Sequence, residues 1–131
     1  MATFGATSMA RLVTLDLRLQ QACHDAIKVV DFSVLCGHRT EAEQNSAYER
    51  GTSKVLFPGS AHNAYPALAV DVAPWPIDWT DQLAFARLAG VIQAMAWSRG
   101  VTLRWGGDWD GDGASSDQSF MDLGHLEIVE P

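Results

Sequence analysis

The sequence predicts an α+β fold, a small antiparallel sheet with flanking helices. Three observations carry that prediction. ALAVDVA (67–73) and GHLEIV (124–129) alternate in the manner of half-buried strands. LDLRLQQACHDAIKVV (15–30) and TDQLAFARLAGVIQAMAWSRG (80–100) repeat apolar residues at helical spacing. The element order is helix, strand, helix, strand, long helix, strand, strand, which suits helices packed on an antiparallel sheet. A chain of 131 residues fits one domain, residues 1–131, and can bury a core without disulfides.

The elements follow in order. In 15–30, Leu15, Leu19, Ala22, Cys23, Ala26 and Val30 form an apolar stripe. DFSVLCGHR (31–39) is rich in strand formers. TEAEQNSAYERG (40–51) carries helix punctuation: Thr40 and Glu43 make a capping box, and Gly51 suits the stop. GTSKVLFPGSAHNAYP (51–66) reads as a loop. In 67–73, Leu68, Val70 and Val72 face one way and Ala69, Asp71 and Ala73 the other, leaving open space over Asp71 as on a cleft floor. The long helix runs from a Thr80 cap to Gly100, with Trp75 and Trp79 packing the turn into it. VTLRW (101–105) is a strand and GGDWDGDGASSDQS (106–119) a polar loop. In 124–129, Leu126 and Ile128 point inward, with His125 and Glu127 on the opposite face.

Composition narrows the function. A net charge of −7 argues against a nucleic-acid binder and gives no attraction to an anionic membrane or wall polymer. No apolar run is long enough for membrane insertion. The N-terminus lacks the charged-then-apolar layout of a secretion signal, so the sequence predicts a protein made and kept in a cytoplasm. Cys23 and Cys36 have neither metal-type spacing nor disulfide density, and read as two buried small hydrophobes.

The chemistry-bearing residues are few. Asp71 and His125 each stand on the non-core face of a strand, and His62 enters from the preceding loop. Two histidines and an aspartate are a normal zinc set with a fourth position for water. A strand histidine is also commonly just hydrogen-bonded, so the pattern alone leaves both readings open. Asp122 lies three residues before His125, and a bend or bulge at Gly124 would bring both to one site. A carboxylate there suits a general base; a loop cap is the competing reading. Arg39, at a strand end, is placed either to steady an oxyanion or simply to be solvated. Asp108, Asp110, Asp112 and Gly113 copy the first half of an EF-hand loop. Ser119 stands where the closing acidic residue belongs and Asp117 is out of register, so any Ca2+ binding is expected to be weak. Trp105 and Trp109 are expected at the cleft rim.

GHRTEAEQNSAYERGTSKV, SAHNAYPALAVDVAPW and WGGDWDGDG…FMDLGHLEI resemble the three blocks of the DD-peptidase/Hedgehog-type zinc peptidases. The nearest resemblance is to the peptidoglycan branch, with its L-alanyl-D-glutamate endolysins and D-alanyl-D-alanine carboxypeptidases. It spans about Phe4 to Glu127. It implies Zn2+ held by His62, Asp71 and His125, Asp122 as base, and Arg39 stabilising the transition state. Ser60 and Glu127 are implied as supporting or substrate-contacting residues. The spacer NAYPALAV, with Pro66 and no glycine, departs from the family's shorter one.

The function so implied is a zinc peptidase that cuts peptidoglycan stem peptides as a monomeric phage endolysin, waiting in the host cytoplasm until the membrane opens. A D-alanyl-D-alanine carboxypeptidase needs a cation for the free carboxylate, for which Lys54 is the main candidate. A metal-stabilised binding module without catalysis is the other alternative.

Overall fold

The computed structural model describes residues 2–111 and 122–130. The elements are α1 (Ala6–Leu12), α2 (Leu17–Ile27), β1 (Phe32–Cys36), α3 (Glu41–Glu49), a 3-10 turn (Ala61–Asn63), β2 (Ala69–Pro74), α4 (Gln82–Trp97), β3 (Leu103–Gly106) and β4 (Asp122–Ile128). Among the described residues the strands form one antiparallel sheet in the order β1-β2-β4-β3.

The helices bury the stripes their spacing predicts. On α2 these are Leu19, Ala22, Cys23, Ala26 and Ile27; on α4 they are Phe85, Leu88, Ala89, Ile92 and Ala96. The two helices pack together, and α4 also lies on the sheet. Val34, Val70, Val72, Leu126 and Ile128 complete one continuous core with them. A fully buried leucine or valine of this kind stabilises the fold by about 1.5–3 kcal/mol relative to its exposed state.

Helix α1 is not foreseen by periodicity. At seven residues it is too short to show a stripe, and tertiary contacts hold it instead. The edge strand β1 would leave the Val34 amide and carbonyl open. Ser8 Oγ accepts from the Val34 N–H at 3.0 Å, and Arg11 donates to the Val34 carbonyl at 3.1 Å. Two side chains of α1 thus close the edge of the sheet.

Four other expectations need correction. Asp81, not Thr80, caps α4: its carboxylate accepts from the Ala84 N–H, while the Thr80 hydroxyl donates to Asp78. Trp79 stacks on Phe85 at the start of α4, but Trp75 stays exposed and lines a groove with the N-terminal segment. Ala69 and Ala73 are fully buried, so open space on that face of β2 is confined to Asp71. Cys23 is buried in the core as expected, whereas Cys36 is only half-buried.

Candidate active site

Strand pairing builds half of the site. Asp71 sits opposite His125 in the β2–β4 ladder and opposite Cys36 in the β1–β2 ladder, so all three share one face. Glu127 and Arg104 follow as the next cross-strand pair, with Arg104 Nη1 3.7 Å from Glu127 Oε2. Asp122 reaches this face through the distortion expected at Gly124. Trp105 pairs with Leu126 but Gly106 pairs with Asp122, so β4 carries extra residues against a single step of β3. Gly124 is pressed against the Val72 carbonyl, and a Cβ there would strike the β2 backbone.

The other half hangs on loops. Ser60 Oγ caps the 3-10 turn by accepting from the His62 N–H, and Asn63 Oδ1 accepts from the Ser60 N–H. The Arg39 N–H donates to the His62 carbonyl at 2.8 Å, tying the turn to the segment before α3. Gly37 lies so close to Thr14 and the Arg11 carbonyl that no larger residue fits. That approach delivers its own carbonyl to His62.

The protonation pattern follows from these partners. His62 Nδ1 is 2.7 Å from the Gly37 carbonyl, which only accepts, so Nδ1 carries hydrogen. The lone pair of the neutral ring is then on Nε2, 3.2 Å from Asp71 Oδ1. His125 lies between two carboxylates, with Nε2 2.8 Å from Glu127 Oε1 and Nδ1 3.0 Å from the same Asp71 Oδ1. Two ring nitrogens thus face one carboxylate oxygen, and such a set calls for a cation. A proton serves in part: burial disfavours charge on His62 and His125, but Asp71, together with Cys36 at His62 and Glu127 at His125, outweighs it and raises both pKa values. Burial likewise opposes ionisation of Asp71, and the facing imidazoles overcome it and hold its carboxyl below the ordinary range.

Asp122 behaves in the opposite way. Burial, reinforced by the negative charge of Asp71, raises its pKa above the carboxylate norm. Asp71, Asp122 and His125 present ligand atoms within 4.8 Å of one another, as do Cys36, His62 and Asp71. Arg39 leans across the same space. Its Nη2 is 3.6 Å from Asp71 Oδ2 and 3.7 Å from Cys36 Sγ, while Nη1 donates to Gln44 Oε1 at 2.9 Å.

Gln44, Cys36 and Gly37 are parts of the site that sequence reasoning did not find. Gln44 is fully buried and satisfies its amide completely. Its Oε1 accepts from Arg39 and Asn63, and its Nε2 donates to Ser53 Oγ and the Val55 carbonyl. The available signal was spacing: Gln44 lies three residues before Ala47, on the buried face of α3.

The cleft holding these groups is lined by Arg39, Ser60, His62, Asp71, Asp122, His125 and Glu127, with Lys54 and Trp109 on its walls. The Trp109 ring lies 5.3 Å from His125, at the expected rim; Trp105 instead donates its indole N–H to the Leu123 carbonyl. Asp108 and Asp110 sit in the turn that follows β3. Asp112, with Gly113, Asp117 and Ser119 of the expected calcium loop, lies outside the described residues.

Three comparisons bear on this arrangement. The family described as phage L-alanyl-D-glutamate peptidase matches residues 1–129. The L-alanyl-D-glutamate peptidase of Escherichia phage T5 is 31% identical over 134 residues, covering 96% of this chain and 97% of that protein. The crystal structure of the Serratia marcescens L-Ala D-Glu endopeptidase ChiX superposes with a TM-score of 0.76 at 26% identity, covering 97% of this chain and 90% of that one.

Proposed function

The chain belongs to the phage L-alanyl-D-glutamate peptidase family, and from that premise we propose that it is a zinc-dependent endopeptidase cutting between L-alanine and D-glutamate in peptidoglycan stems. The observation that carries the zinc is the approach of two histidine ring nitrogens to one carboxylate oxygen. His62 Nε2 and His125 Nδ1 both face Asp71 Oδ1, and the other nitrogen of each ring has an acceptor behind the site that can take its N–H when the ring binds a metal. An N, N, O set of this kind fits Zn2+ with a position left for water.

His62, Asp71 and His125 would hold the ion. When bound, it supplies a Lewis acid for the scissile carbonyl and makes water more acidic. The chain's own residues account for the rest. Asp122 takes the proton of the attacking water and returns it to the leaving amine; its raised pKa suits a group that must carry that proton between the two steps. Arg39, held by Gln44, donates to the oxygen on which charge develops. Glu127 orients His125, and Ser60 holds the turn that presents His62.

On the same reading the protein acts as a monomeric endolysin, made in the host cytoplasm and active on the wall after release. No helix among the described residues is long and apolar enough to cross a membrane.

The test is mass spectrometry of purified peptidoglycan after digestion, with chelator, without it, and with zinc restored. New amino termini on D-glutamate, lost with chelator and regained with zinc, are expected. Free D-alanine would identify a carboxypeptidase instead. Unchanged wall in every sample would favour a metal-stabilised binding module.

A further inference from the structure

The cleft has two arms that meet at Arg39, Thr52, Asp71 and Asp122. One arm passes Lys54 toward Trp109 and Glu127. The other follows α3, where Ala42, Glu43, Ser46, Ala47 and Arg50 line it at spacings of one, three and four residues, a single helical face. Arg39 stands at the catalytic end of that face and Arg50 at the far end.

Two features distinguish Arg50. The ion pairs among the described residues do not include it. The carboxylate nearest along its helix face, Glu43, is committed to the Thr40 capping box and accepts from the Thr40 N–H at 2.9 Å. Arg50 is exposed on the cleft wall, where its planar guanidinium is placed to take a carboxylate in a bidentate pair.

The chemistry of a stem peptide says where such an anion lies. On the alanine side of the scissile bond the chain runs into a neutral lactyl ether. On the amine side, D-glutamate linked through its side chain keeps a free α-carboxyl, and the next residues carry others. From Ala42 to Arg50 the helix rises about 12 Å. An extended peptide covers about 3.4 Å per residue, so a reaching guanidinium meets a carboxylate within about three residues of the cut.

We propose that Arg50 is a specificity-determining residue that binds a free carboxylate on the amine side of the scissile bond, so that the α3 arm holds the leaving half of the stem. The proposal rests on the peptidase reading above. Arg50 contributes only its backbone N–H to the end of α3, so changing its side chain spares the fold.

The experiment compares wild type with R50Q and R50K on soluble muramoyl stems of three kinds: all carboxyls free, the D-glutamate α-carboxyl amidated, and the third residue's carboxyl amidated. On the free stem R50Q is expected to raise KM about ten-fold with kcat within about two-fold, and R50K to recover part of the loss. The gap between wild type and R50Q closes on whichever amidated stem lacks the partner, which identifies the carboxylate. An equal loss on every stem, or an unchanged KM on the free stem, overturns the proposal. If wild type cleaves none of the stems, the peptidase reading itself falls and this proposal with it.

Discussion

The two halves of the site are held in place by different means. Asp71, His125 and Glu127 stand on paired strands, and the ladder register fixes their spacing before any side chain interacts. Arg39 and His62 stand on loops, and side-chain hydrogen bonds through Gln44, Asn63 and Ser60 fix theirs. A ladder spreads its cost over many backbone bonds, whereas a polar relay depends on each member. The strand half should therefore report substitutions as chemistry, and the loop half as chemistry and stability together.

The largest expected effect is in the strand half. Asp122→Asn should lower kcat by about 10²–10⁴-fold while zinc content, measured by atomic emission, is retained. This substitution also separates two roles. Asp122 lies within ligand reach of Asp71 and His125, so loss of zinc in the variant would make it a ligand and break the assignment of base. Next comes Glu127→Gln, which weakens the acceptor behind His125. Zinc affinity should fall about ten- to hundred-fold in competition with a chromophoric chelator, with the melting temperature of the metal-free protein little changed. An unchanged affinity would mean that the ladder alone orients the ring.

The loop half predicts a different signature. Gln44→Leu leaves the donors of Arg39 and Asn63 and the acceptors of Ser53 and Val55 without their buried partner. The cost should be about 2–3 kcal/mol of stability, read by urea unfolding, together with about ten-fold in kcat. Combined with Arg39→Gln, the kcat losses should fall well short of multiplying, since Gln44 acts on turnover through Arg39. Fully multiplying losses would show that the relay is not what positions the guanidinium.

This contrast explains what the sequence made legible. Period-two alternation exposes every second residue of a strand, so Asp71 and His125 stood out among Ala69, Val70, Leu126 and Ile128. Gly124 pointed to the bulge because few residues tolerate so close a backbone approach. The family blocks carried His62 and Arg39. Gln44 was not legible: a buried glutamine on an amphipathic helix has no one-dimensional signature, and its four partners come from α3's own approaches and the loop beyond it. Cys36 was misread for the same reason, since its exposure depends on the β1–β2 register and not on its type. Helix α1 is short and owes its place to a strand edge about 25 residues further on.

The smallest expected effect lies outside both halves and serves as their control. Asp16 caps α2, accepting from the Arg18 N–H at 2.9 Å, and its carboxylate also pairs with the Arg18 guanidinium. That side-chain contact, outweighing a small effect of burial, lowers the Asp16 pKa from 3.8. A carboxyl with a depressed folded-state pKa stabilises the fold above its unfolded value and stops doing so as pH falls through the folded one. Asp16→Ala should therefore cost about 1 kcal/mol near pH 7, mostly as a lost cap on a partly solvated pair, with kcat and zinc affinity untouched. The deficit should shrink once the pH drops below 3.8, where the wild-type carboxylate is itself being protonated. A deficit that persists undiminished through the acid range would assign it to packing or helix propensity instead of charge. A change in kcat would mean that the helix layer and the catalytic face are not independent, and the separation between the site's two supports would have to include α2.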